Sequence, residues 1–256
     1  MPQLPQLYSL GRAVNALPED CVYRDGLLET MRCQRGCLPL WALHRQRLQR
    51  SGRVNAVDLD RIEAFLLAVA ANCPEDAAKM RLRCGAVEGR WQWDLSLLSL
   101  ESTPELEQGV MLFPCSTRLR TLNTANPGCK SLLRTGYNRA KDELPVIGLC
   151  DGLMRDTAGR VIESLRCNLL VWLGDGWVTP NLGRCGVRGV MRDWLADRVP
   201  LQEVDMDLES LCAGMEVALC NSVRGVMPVR ELIGHCRWSI GPETRRLQQL
   251  ITERLW

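Results

Sequence analysis

Apolar residues recur along this chain in two rhythms. Between residues 39 and 50, Leu40, Leu43, His44, Arg47 and Leu48 share one face at the spacing of a helix, while Arg45, Gln46 and Gln49 point elsewhere. The next stripe, Leu59, Ile62, Leu66 and Val69, predicts a second helix with Asp58 as its cap. Short apolar runs at 80–83 and 110–113 read as strands and complete a first α/β domain over residues 1–118. Residues 119–127 are rich in turn formers and read as a linker. Residues 128–256 then predict a larger, strand-rich second domain. It holds a helix from about 131 to 143, strands at 146–150, 160–163 and 168–173, and a turn at Gly174-Asp175-Gly176. Gly186-Val187-Arg188-Gly189 leads into a helix with Val190, Met191, Trp194 and Leu195 inward. A strand at 215–220 and a closing helix that aligns Leu247, Leu250, Ile251 and Leu255 follow. The fold class is therefore α/β, of the α+β kind, in two domains.

Composition narrows the function classes. The 256 residues suffice for two cores, and no apolar run approaches the ~18 residues of a membrane span. The first residues show no basic segment followed by an apolar stretch, so the expected location is the cytoplasm. A net charge of +2 with aromatics at only 5% argues against a nucleic-acid surface, and small anionic ligands account better for arginine clusters such as Arg45, Arg47 and Arg50. The 13 cysteines are odd in number and scattered, several inside apolar runs, and read as reduced, mostly buried thiols. Cys33, Cys37 and His44 come near ligand spacing, but no second pair completes a zinc set, and no metal is expected.

The search for reactive groups is sharpened by a shortage of amines: the only lysines are Lys79, Lys130 and Lys141. Lys130 follows Pro127-Gly128-Cys129 and precedes Ser131-Leu132-Leu133, the least charged neighbourhood of the three, which suits an amine of lowered pKa; a surface charge at a helix start is the alternative. A phosphate-friendly helix start at Gly189, a carboxylate inside the strand that holds Glu163, and Arg47 on an apolar face add to it. Arg47 could equally pair with a buried carboxylate or extend along its helix.

These residues stand in a familiar order. The sequence resembles the fold-type IV family of pyridoxal-phosphate enzymes, which includes branched-chain and D-amino-acid aminotransferases and aminodeoxychorismate lyases. The likeness runs through Arg24-Asp25-Gly26-Leu27-Leu28-Glu29-Thr30, His44-Arg45-Gln46-Arg47-Leu48, Gly128-Cys129-Lys130, Val161-Ile162-Glu163 with Asn168-Leu169, Gly186 to Arg192, and Cys220 to Val229. The last two segments look most like the lyase branch. Three positions depart from the pattern: Arg24 where a glycine is usual, Leu170 where an aromatic is usual, and Leu133 with its neighbours where an asparagine or tyrosine supports the cofactor's ring hydroxyl.

The resemblance implies pyridoxal 5′-phosphate as cofactor, with Lys130 holding its aldehyde and Glu163 keeping its ring nitrogen protonated. It assigns the phosphate to Arg47, the backbone N–H groups of Val190 and Met191, and Ser222, a set suited to a dianion. Thr30 is implied as a proton-relaying hydroxyl. For the substrate's carboxylates the first domain offers Arg83 and Arg90. The implied reaction converts 4-amino-4-deoxychorismate, a small-molecule substrate, into 4-aminobenzoate and pyruvate for folate synthesis, in a homodimer. Alternatives are an aminotransferase of branched-chain or D-amino acids and a degenerate homologue without catalysis.

Overall fold

A computed structural model describes residues 3–120 and 128–256. They divide into two compact units, the first made of residues 3–102, 129–133 and Trp256, the second of 103–120, 128 and 134–255. Among the described residues no helix is long and apolar enough to cross a membrane.

In the first unit β1 (Gln6–Ser9), β2 (Arg12–Ala13), β3 (Arg24–Gln34), β4 (Ala77–Val87) and β5 (Arg90–Ser99) form an antiparallel sheet in the order β2-β1-β5-β4-β3. Helices α1 (Trp41–Arg50) and α2 (Ala56–Ala71) lie between β3 and β4 in the chain. Strand alternation sets the layers. Leu27, Met31 and Cys33 of β3 meet Met80, Leu82 and Cys84 of β4 and Leu95 and Leu97 of β5 in one core, which takes the stripe Leu59, Ile62, Leu66 and Val69 of α2. The other parity of β3 carries Leu28, Thr30 and Arg32, in register with Arg83, Arg81 and Lys79 of β4. Asn55, not Asp58, caps α2: its side chain accepts from the Asp58 N–H at 2.8 Å, so Asp58 sits a turn inside the helix.

The second unit contains α3 (Glu105–Gln108), β6 (Val110–Leu119), α4 (Thr135–Lys141), β7 (Cys150–Asp156), β8 (Val161–Ser164), β9 (Asn168–Trp172), β10 (Trp177–Pro180), α5 (Val190–Ala196), β11 (Leu201–Val204), α6 (Leu208–Cys212), β12 (Glu216–Asn221), β13 (Gly225–Leu232), β14 (Cys236–Arg237) and α7 (Pro242–Arg254). Its sheet runs β11-β10-β9-β12-β13-β6-β7-β8, with β14 added on β13. The sheet curls enough that Asn168 of β9 reaches Glu163 of β8. Val190, Met191, Trp194 and Leu195 of α5 are buried, as their spacing requires.

Several boundaries differ from the sequence reading, each for a tertiary reason. β6 joins the second sheet, parallel to both β13 and β7, so the first unit ends near residue 102 rather than 118. Its Val110 and Leu112 belong to the core of Leu153, Leu219 and Val229, a partnership that a local apolar run does not reveal. Residues 121–127 of the expected linker lie outside the described residues. The helix expected from Ser131 begins only at Thr135, because residues 130–132 bond instead to the edge of β3: Leu28 N–H donates to the Lys130 carbonyl at 2.9 Å and Leu132 N–H to that of Gly26 at 2.7 Å. The strand expected at 146–150 starts at Cys150, with Val146 and Ile147 exposed. Cysteine also needs correcting: Cys212, at the end of α6, is disulfide-bonded to Cys236 of β14, a pairing across 24 residues that spacing alone does not disclose.

The cap gives a first test. Asn55→Ala removes the acceptor for the Asp58 N–H at an exposed helix start and is expected to lower stability by about 1 kcal/mol. Asp58→Ala leaves that bond in place and should cost less; chemical denaturation giving the reverse order would reject the assignment of the cap.

Candidate active site

The predicted residues gather in two clusters, one in each unit. In the first, residues 130–132 act as a short extra strand on β3, with Ser131 bridged to Leu27. In such an antiparallel pair opposite side chains share a face, so Lys130, opposite Leu28, is turned to the side of the sheet that carries Thr30. Lys130 Nζ donates to Thr30 Oγ1 at 3.3 Å. Gly26 has no room for a side chain here, because a Cβ would press on Tyr23 and Leu132 at 3.0–3.1 Å.

On the opposite face of β3, Glu29 is a carboxylate set among core residues and 2% exposed. Two groups of α1 meet it one turn apart. Arg47 donates through Nε at 2.8 Å and through Nη2, and His44 Nδ1 donates at 2.5 Å. Burial alone would raise the Glu29 pKa, but the charge of Arg47 and the hydrogen bonds from His44 and Arg47 hold it down at about 2. An ionised carboxylate only accepts, so the Nδ1 of His44 carries the proton. Burial lowers the pKa of His44, with Arg47 and Lys130 opposing its charge, and the ring is neutral. Its Nε2 is buried without a hydrogen-bond partner, an acceptor left available inside this cluster. Arg47 thus realises the buried-carboxylate pairing, whatever else its guanidinium holds.

The second cluster surrounds Glu163, buried on β8. Its carboxylate accepts from Tyr137 Oη of α4, from Asn168 Nδ2 at 3.2 Å, and from the Val187 N–H at 3.1 Å to each oxygen. Burial and the Glu163 charge push the Tyr137 pKa well above that of a free phenol, so the hydroxyl stays a donor. Asn168 Nδ2 also donates to the Val187 carbonyl at 2.8 Å, tying the loop before α5 to β9. That loop needs its glycines. Gly186 has φ +92°, and a Cβ on Gly189 would run into Asn168 Oδ1. Val190 and Met191 occupy the first turn of α5, where the helix supplies no acceptors for their N–H groups. Ser222 follows Asn221 in the turn between β12 and β13, whose Oδ1 accepts from Val223 and Arg224 N–H at 2.9 and 2.8 Å.

The two residues offered for substrate carboxylates stand apart. Arg83 is buried, with its fork on Asp94 at 2.9 and 2.6 Å and its remaining nitrogen on Asp20 at 2.7 Å. Arg90 is exposed beside the Glu88-Gly89 turn. Sequence reasoning passed over Glu29 and Tyr137. A signal for Glu29 was present: an acid on the core parity of a strand, with a histidine and an arginine three apart on one helical face.

Residues 26–232 match the amino-transferase class IV family. The chain belongs to that family. Enzymes of the class IV family are dependent on pyridoxal phosphate. Among relatives, the chain is 29% identical to an aminodeoxychorismate lyase of Vibrio harveyi, over 92% of this chain and 97% of that protein. The crystal structure of the 4-amino-4-deoxychorismate lyase from Pseudomonas aeruginosa superposes with a TM-score of 0.85 at 33% identity, covering 97% of this chain and 99% of the other. The PLP-bound form of a hypothetical aminotransferase from Mycobacterium tuberculosis shares the fold, with a TM-score of 0.83 at 18% identity over 98% and 99% of the two chains. The chemistry of the class IV cofactor fits the groups in hand: an amine on a hydroxyl, a buried carboxylate and a helix start. This chain supplies each of them from its own residues.

The Glu29 cluster makes a pH-dependent prediction. Its folded pKa is depressed from 4.5 to about 2, so its contribution is complete above the unfolded value and drains as pH falls towards 2. Glu29→Gln is expected to cost roughly 3 kcal/mol at pH 7, and this gap to wild type should shrink by more than half at pH 3. Urea unfolding at both pH values measures it; a gap independent of pH would show that Glu29 does not carry the charge assigned to it.

Proposed function

We propose that the protein is a pyridoxal-5′-phosphate-dependent lyase that converts 4-amino-4-deoxychorismate into 4-aminobenzoate and pyruvate. The observation that carries this reading is the 3.3 Å contact of Lys130 Nζ with Thr30 Oγ1, an amine base and a hydroxyl relay side by side in a chain that is similar over nearly its whole length to two lyases. Lys130 would hold the cofactor's aldehyde, Glu163 its ring nitrogen, and Arg47, the N–H groups of Val190 and Met191, and Ser222 its phosphate. When bound, the cofactor supplies an electron sink for bonds at the carbon that bears the substrate's amine.

The chain's own groups account for the remainder. Lys130 takes the proton from C4 of the substrate, and the Thr30 hydroxyl passes a proton between that amine and the departing enolpyruvyl group. The C3–O bond breaks, the ring becomes aromatic, and the enolpyruvyl fragment leaves as pyruvate. Aromatisation supplies much of the driving force, so positioning the C4–H bond against Lys130 is the protein's main task. Glu163 strengthens the sink only as an anion, a form suited to donors such as Tyr137, Asn168 and the Val187 N–H. On the family resemblance alone, the working unit is a homodimer in the cytoplasm.

Purified enzyme supplied with aminodeoxychorismate is expected to release 4-aminobenzoate and pyruvate in equal amounts with no keto acid present. Turnover that requires a keto acid and a branched-chain or D-amino acid, with none from aminodeoxychorismate, would make the protein an aminotransferase instead. Lys130→Ala should abolish turnover, and Thr30→Ala should slow it by a factor on the order of 10² to 10⁴ if the hydroxyl relays a proton. Glu163→Gln should lower kcat far more than cofactor content; full activity with full cofactor would remove Glu163 from this role.

A further inference from the structure

At the carboxyl ends of β6 and β7 the second unit sets two arginines side by side. The strands run parallel, and Arg118 pairs with Arg155 in register, one residue before each strand ends. Opposite residues of neighbouring strands share a face at a spacing of about 5 Å, so two positive charges meet there. A bulge makes the match. Between the pairs Pro114–Leu153 and Arg118–Arg155, Met154 alone on β7 passes Cys115, Ser116 and Thr117 of β6. Glu143 holds the bulge in shape, accepting from the N–H groups of Ser116 and Thr117 at 2.5 and 2.9 Å. Arg118 closes it from within, Nη1 donating to the carbonyls of Cys115 and Ser116 at 2.6 and 3.0 Å.

These carbonyls give Arg118 hydrogen bonds but no opposite charge. Arg155 has less: its Nε is buried and has no hydrogen-bond partner among the described residues. Burial, and then the charge of Arg118, lower the Arg155 pKa, yet a guanidinium keeps its proton. The acids beside the pair are engaged elsewhere. Asp156 takes Arg160 at 2.6 Å and the Ala158 N–H at 3.0 Å, and Glu143 takes the bulge. A buried charged donor without an acceptor is unfavourable, and so is a like charge directly across the ladder. One anion between the two guanidinium groups relieves both.

We propose that Arg118 and Arg155 form a binding site for a doubly charged tetrahedral oxyanion, inorganic phosphate or a phosphate monoester. The charge of such an ion equals that of the pair. A carboxylate has two oxygens, which a single guanidinium fork saturates, whereas a phosphate carries further oxygens and can face both forks at once. Neither arginine is among the groups assigned to the cofactor's phosphate, so the site is additional to that one. Its occupant would tie the ends of β6 and β7 together.

The test uses holoenzyme, in which the cofactor's own phosphate fills its site, at pH 8 in chloride buffer. By titration calorimetry inorganic phosphate should bind the wild type, and Arg118→Met and Arg155→Met, which keep the apolar stems, should each raise its Kd by roughly tenfold or more. Arg237→Gln, on β14, is the control with unchanged affinity. Phosphate at ten times its Kd should raise the thermal unfolding midpoint of the wild type by roughly 3 °C and that of Arg155→Met by less than about 1 °C. Circular dichroism and cofactor content report folding, and Arg155→Gln replaces Arg155→Met if that variant fails to fold. Glucose 6-phosphate, run in parallel, separates the two sources: Arg155-dependent binding of the ester supports the site with a phosphorylated metabolite as ligand, and its exclusion while phosphate binds supports the site with the free ion. Phosphate affinity equal in wild type and both arginine variants, no phosphate binding by wild type, or a midpoint shift reproduced by sodium chloride at equal ionic strength overturns the proposal.

Discussion

The pairing of residues 130–132 with the outer edge of β3 is the constraint on which the reactive groups of the first unit depend. Two hydrogen bonds, Leu28 N–H to the Lys130 carbonyl and Leu132 N–H to the Gly26 carbonyl, fix a register. Because side chains alternate along a strand, a slip by one residue would turn the amine to the other face. In this register Lys130 meets Thr30 above the sheet, while Glu29, next in the chain, points below it to His44 and Arg47. The edge strand therefore separates a reactive face from a charge cluster embedded in the core. A covalent step of two residues leads from Lys130 back to Gly128, which pairs with Val187 in the second unit. Val187 in turn donates its backbone N–H to Glu163.

Much of this was legible in the sequence, and what was not has a physical reason. Amphipathic stripes located α1, α2, α5 and α7, because a helix that covers a core shows its period locally. Scarcity marked Lys130, and the order of motifs marked Glu163 and the loop before α5. Strand partners were another matter: β6 looks like any apolar run, and only its parallel pairing with β13 and β7 assigns it to the second sheet. Residues 131–134 have helical composition, yet an open strand edge offers their backbone groups bonds that a helix start cannot. Tyr137 was invisible for a similar reason, since its partner Glu163 lies 26 residues further on and one half-buried tyrosine on a short helix carries no period.

The buried charges differ in what they ask of the protein. Glu29, Arg47 and His44 form a group in which an ionised carboxylate, a guanidinium and a neutral imidazole offset one another's loss of water. Such a group contributes little net stability compared with an apolar core of the same volume, but removing one member leaves the others stranded. Its value here is geometric: α1 cannot rotate or slide on β3 without breaking a bidentate contact, and Arg47 is thereby held at a fixed height on the sheet. The same holds for Arg83, whose fork on Asp94 fixes the row beside Thr30.

This also gives a reason for the chain's heavy use of arginine over lysine. A guanidinium is planar, stays charged at any pH the protein meets, and forms paired bonds with a carboxylate, as Arg47, Arg83 and Arg184 do with Glu29, Asp94 and Asp205. It is also a poor nucleophile, because it never gives up its proton. A protein that relies on one amine to hold an aldehyde gains from making its structural cations of a kind that cannot compete for it. Lys130, beside Thr30, is the amine so placed.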